Sequence, residues 1–119
     1  MALVLPPPPV HALITLDDRS RLRLTSSRHR LTVVRGRKTV LLRIEAINRG
    51  SDPHDVAIRR VGGRRLAATG TVLPGGPPRR FRIRLKPGRY VLYCTIAAGT
   101  ALSHERLGMR DALRVVRRS

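Results

Sequence analysis

The chain has a single cysteine, no tryptophan, only three aromatic residues (Phe81, Tyr90 and Tyr93) and 7 acidic side chains against 25 basic ones. Each shortage excludes something. A lone cysteine cannot close an internal disulfide, so Cys94 is left as a buried thiol, a nucleophile or a metal ligand. With so few aromatics, the basic residues have no stacking platform for single strands or RNA, and the core must rest on Val, Leu, Ile and Ala. No apolar run is long enough to span a bilayer.

What is present reads as an all-β domain. The 119 residues are 41% hydrophobic, enough for one real core and too few for two ordinary domains. The 10 glycines and 9 prolines fall between short apolar runs, where they punctuate strands with turns, so a helical bundle is not expected. Period and turn signals give strands at His11 to Leu16, Arg21 to Thr25, Leu31 to Val34, Thr39 to Asn48, Asp55 to Val61, Arg64 to Val72, Arg79 to Lys86, Arg89 to Cys94 and Ala112 to Val116. The breaks DDRS, SSRH, RGRK, NRGSDP, VGG, LPGGPP and KPG carry the residues a reversing chain needs. There is no internal repeat.

The net charge of +18 is almost all arginine, and by itself it would suggest phosphate backbones or anionic membranes as partners. The arginines alternate along the strands, however, as in RLRL from Arg21 and RRFRIRLK from Arg79, rather than massing in one tail. Alternation is what half-exposed strands need on their solvent face, so the dispersed charge favours a solvated surface over a nucleic-acid interface. At the N-terminus, MALVLPPPPVHALITL lacks a basic n-region and is interrupted by four prolines, so residues 1–12 read as a Pro-rich leader or the remnant of a signal peptide and residues 13–119 as the domain. Val10-His11-Ala12 has the small residues at alternate positions that a cleavage site favours.

The long connection between Thr95 and Arg110 stands out, because long loops in compact domains are usually functional. In and beside it lie Cys94, His104 and Met109. A thiolate, an imidazole and a thioether together select copper, since thioether is a poor ligand for magnesium, calcium or zinc. One more histidine would complete a His₂Cys set with a weak axial Met. His54 is the candidate, because it follows the turn from Asn48 to Pro53 and opens a strand that could lie beside the one delivering Cys94. His11 and His29 fit no such pattern and read as surface residues.

Three segments in order resemble the cupredoxins, the small blue copper proteins. INRGSDPHDVAI is similar to the family's Asn and Gly preceding a Pro-His pair, LKPGRYVLYC to its approach to the copper cysteine, and HERLGM to its closing His and Met ligands. The resemblance runs from about Thr39 to Val116 and implies a Greek-key β-sandwich that binds one type 1 copper through His54, Cys94, His104 and Met109. It implies an electron carrier rather than an enzyme, in a periplasmic or other extracytoplasmic location. We expect a monomer whose redox partner has an acidic docking surface, with on-rates raised by charge complementarity.

Two departures stand against that pattern. Ten positions separate Cys94 from His104, more than in plastocyanin-like members, and Ile-Ala-Ala-Gly replaces the usual Pro-Gly of the loop. Asp55 stands where many members have Asn; it can accept hydrogen bonds but not donate them, so either a looser tie between the ligand segments or an extra charge at the site is expected. Three other readings remain open. A cupredoxin-like copper-binding or structural domain would have no use for a tuned potential, and a basic nucleic-acid-binding β domain would be indifferent to Cys94→Ser. An enzyme using Cys94 as nucleophile would leave Met109 without a role.

Overall fold

Apolar and polar residues alternate along most segments, and each such segment extends so that one side chain in two points inward. A computed structural model describes residues 5 and 7–118 and contains nine strands and no helix among them. They are β1 (Val10–Asp17), β2 (Arg23–Ser26), β3 (Arg30–Val33), β4 (Val40–Asn48), β5 (Ala57–Arg60), β6 (Arg65–Ala68), β7 (Arg79–Leu85), β8 (Gly88–Tyr93) and β9 (Arg110–Arg117). Each answers to one of the nine expected from the sequence. No helix of the described residues is long and apolar enough to cross a membrane.

The strands form two mixed sheets, one in the order β2-β1-β4-β7 and the other β3-β9-β8-β5-β6. Two pairings are parallel, β1 with β4 and β3 with β9; the others are antiparallel. The buried faces of both sheets share one hydrophobic cluster: Ala12, Ile14, Leu42 and Ile44 from the first meet Ile58, Leu92, Leu113 and Val115 from the second. This arrangement is compatible with a β-sandwich.

Two boundaries differ from expectation for identifiable reasons. The strands expected at Asp55 to Val61 and Arg64 to Val72 are cut to four residues each. The Thr69 hydroxyl takes the Val56 N–H at 3.1 Å in place of a ladder carbonyl, and Gly70 turns the chain at φ +75°. Beyond that turn Val72 pairs with His54 only as an isolated bridge. At the N-terminus Val10, His11 and Ala12 pair with Leu42, Arg43 and Ile44, so the leader boundary expected at residue 12 falls inside β1. Residues 1–4 and Pro6 of that leader lie outside the described residues.

Because β8 runs antiparallel to β5 and β9, with Tyr93 opposite both Ala57 and Arg110, the start of β5, the end of β8 and the start of β9 lie at one pole. The ends of β1 and β4 reach the same region, since Leu16 pairs with Asn48 and the Asn48 side chain bonds the Val72 carbonyl.

Candidate metal centre

Asn48, the last residue of β4, shapes the turn that carries His54. Its amide Nδ2 donates to the carbonyls of Asp52 and Val72, both at 2.8 Å, and its Oδ1 accepts the Gly50 N–H at 2.8 Å. The Asp18 carboxylate, just beyond β1, closes the turn from the other side by accepting from Ser51 N–H and Oγ–H and from Asp52 N–H at 2.8 to 2.9 Å. His54 is fully buried, and its backbone bridges Val72 through bonds of 3.2 and 2.7 Å. Its Nε2 lies 2.6 Å from Asp18 Oδ2, which leaves Nδ1 facing the loop after β8.

Cys94 follows β8 directly and is buried; its N–H donates to the Met109 carbonyl at 3.1 Å. The next residue, Thr95, donates its N–H to Asp55 Oδ1 at 2.6 Å and its hydroxyl to Asp55 Oδ2. The looser tie expected from Asp55 is therefore not observed. Both bonds run from Thr95 toward Asp55, so an acceptor-only side chain suffices.

The loop from Thr95 to Met109 folds into successive turns without forming a helix. His104 N–H donates to the Ile96 carbonyl at 3.1 Å and Met109 N–H to the His104 carbonyl at 2.9 Å, so both ends of the loop fold back onto its middle. Arg59, stacked 4.1 Å over the Tyr93 ring, grips Glu105 with both guanidinium nitrogens at 3.0 and 2.5 Å. Gly108 is at φ +125°, and a Cβ there would lie 2.7 Å from the Leu22 carbonyl oxygen, so glycine permits the close approach that precedes Met109.

These supports bring three of the four sequence-predicted side chains together. His54 Nδ1 lies 3.3 Å from His104 Nδ1, and Cys94 Sγ lies 3.8 Å from His104 Nδ1. One ligand atom from each of the three falls within 4.8 Å of the others. His54 and Cys94 are buried, while His104 is half-buried and reaches the surface. Met109 is fully buried in the same cluster as Cys94 and is held by backbone bonds to both Cys94 and His104. His11 and His29 are exposed, and His29 pairs with Asp111 at 2.8 Å.

Burial sets the electrostatics of the site. It pushes the Cys94 thiol up to about 11, so without a cation nearby the group stays protonated at neutral pH. Burial, and next the neighbouring His54, hold His104 below the usual histidine range. Asp18 is held well below the usual carboxylate range, chiefly by the Ser51 N–H it accepts. A site with a reluctant thiol and two facing imidazole nitrogens becomes fully paired when a soft or borderline cation takes the place of the protons.

Asp18 was not anticipated from the sequence as part of the site. Asp17-Asp18 reads locally as a turn, and the partner of Asp18 lies 36 residues away. No protein-family model matches the chain, and no curated protein matches it at a significant level.

Proposed function

We propose that the chain is a cupredoxin-type copper protein, a Greek-key β-sandwich in which His54, Cys94, His104 and Met109 would hold one type 1 copper, and that it carries single electrons. The observation that carries this reading is the convergence of one ring nitrogen from each of two imidazoles and one thiol sulfur within 4.8 Å at one pole. The donor set fits copper, because thiolate and imidazole together are the ligands of electron-transfer copper sites and Met109 lies buried beside them.

Bound copper would supply a one-electron couple. The chain's own residues do the rest. Thr95 and Asp55 lock the Cys94 segment to the His54 segment, which limits how far the ligands can move between oxidation states. Main-chain bonds hold His104 and Met109 to the rest of the loop. His104, the one ligand of the three that reaches the surface, marks where a partner approaches. The +18 charge suits an acidic partner met in a small transient interface, and an extracytoplasmic location completes the reading.

Titration of the purified protein with Cu(II), followed by visible absorption and electron paramagnetic resonance, tests the proposal. The expected result is an intense thiolate-to-copper band that saturates at one copper per chain, bleaches with ascorbate and returns with oxidant. A folded protein with no such band overturns it. A band that cannot be cycled leaves copper binding without the carrier role.

A further inference from the structure

We infer that Asp18 is a positioning residue of the metal centre, fixing the ring and tautomer of His54 and placing one negative charge directly behind that ligand. The inference deepens the copper reading above and rests on it for its effect on the metal. Its effect on the His54 ring stands without metal.

The Asp18 side chain is 6% exposed and the His54 side chain 0%, with Oδ2 and Nε2 2.6 Å apart. Asp18 makes three further hydrogen bonds, all accepted: Ser51 N–H and Ser51 Oγ–H on Oδ1 and Asp52 N–H on Oδ2. Its only ion-pair partner among the described residues is His54. Burying a carboxylate without a full counter-charge is costly, and here the donors of one turn are spent on keeping it ionised. The packing is built to match. A Cβ at Gly50 would fall 2.6 Å from Oδ2, so a glycine is needed for the turn to close over the carboxylate.

An ionised carboxylate only accepts, so Nε2 of His54 donates and a neutral ring carries its lone pair on Nδ1. That Nδ1 is the atom facing His104 Nδ1 at 3.3 Å. Two imidazole nitrogens at that separation need a proton or a cation between them, and with the neutral His54 ring held in the Nε2–H tautomer by Asp18 that proton is carried by His104 Nδ1. A carboxylate behind a metal-bound imidazole orients it and raises its basicity. Its charge also favours the higher oxidation state of the metal, which lowers the reduction potential.

The test compares wild type with Asp18→Asn, in two measurements. In the metal-free protein, proton–nitrogen correlation NMR of the imidazole rings should show His54 as the Nε2–H tautomer in wild type; an Nδ1–H tautomer overturns the inference without any variant. In the copper-loaded proteins, Asp18→Asn should keep the visible band, bind Cu(II) about 10 to 100-fold more weakly and show a higher potential. A tenfold fall in Cu(II)-over-Cu(I) preference corresponds to about 59 mV. An unchanged affinity and potential in a folded Asp18→Asn protein overturns the inference. If wild type shows no copper band the proposed function fails, and the NMR result alone then decides whether Asp18 sets the His54 ring.

Discussion

Thr95, one residue past the cysteine, gives both its N–H and its hydroxyl to the two carboxylate oxygens of Asp55, one residue past the buried histidine. The segments that carry His54 and Cys94 are thereby joined outside those two side chains. Asp55→Ala removes both bonds and leaves the Thr95 N–H without its partner, whereas Thr95→Val removes one. We expect Asp55→Ala to cost about 1–3 kcal/mol of stability and Thr95→Val less. Urea denaturation of the metal-free proteins measures both. A larger loss in Thr95→Val would mean that the backbone bond contributes little.

Cys94 is buried at the end of β8 but occupies little volume. Cys94→Ala should cost only about 1 kcal/mol, comparable with other small truncations in cores, and should leave the far-ultraviolet circular dichroism unchanged. The same change should abolish the copper-thiolate band completely. A band retained in Cys94→Ala would remove the cysteine from the ligand set.

Two of the three shifted site groups, His104 and Cys94, should give the metal-free protein a stability plateau with a fall on each side. His104 sits below its ordinary value of 6.5, so as pH drops through and below that value the unfolded chain takes up the proton first and stability is lost. Cys94 sits above its ordinary value of 9.0, so between there and about 11 the unfolded chain loses its proton first and stability falls as pH rises. Thermal melts across that range should show both slopes. Copper binding requires the thiolate, so loading should release the thiol proton at neutral pH, tighten with rising pH and abolish the alkaline slope.

Gly108 and Gly36 are both at positive φ, but only Gly108 has a neighbour in the way: a Cβ there would meet the Leu22 carbonyl oxygen at 2.7 Å, while at Gly36 nothing lies within 4 Å. Gly36→Ala carries the conformational cost alone. Gly108→Ala adds a steric one against backbone and displaces the residue before Met109, so we expect it to lose more than the roughly 1–3 kcal/mol typical of a strained φ. Its copper spectrum should change as well, and that of Gly36→Ala should not.

The strands were legible because Ala12, Ile14 and Leu16 in β1, and Val40, Leu42, Ile44 and Ala46 in β4, alternate with polar or half-exposed residues. That period is local and needs no knowledge of partners. His54 and Cys94 were legible by residue type and by their places beside strand ends, and His104 by residue type and its place in the long loop. Asp18 was not, because its role depends on β1 and the turn after β4 meeting at one pole, a relation that no window of sequence contains. The short β5 and β6 escaped for a similar reason: a single hydroxyl, that of Thr69, takes the place of a ladder bond.

Charge is the feature whose consequence is easiest to measure. On the outer face of the second sheet Arg114 lies directly across from Arg30 on one side and Arg89 on the other, and on the first sheet Arg43 faces Arg82. Like charges directly opposite on neighbouring strands destabilise a sheet, and all five of these arginines are exposed, where salt screens them. Wild-type stability should therefore rise with moderate salt. Arg114→Glu turns two repulsions into two attractions and should stabilise the protein by roughly 0.5–2 kcal/mol at low ionic strength, a gain that fades as salt is added. If the rows also steer an acidic redox partner, Arg114→Glu should slow electron transfer to that partner at low salt while leaving the copper spectrum untouched. Stopped-flow rates against ionic strength, set beside melts of the same two proteins, separate a surface kept for steering from one that only burdens the fold. A slower rate in the more stable variant is the outcome that assigns the charge a function.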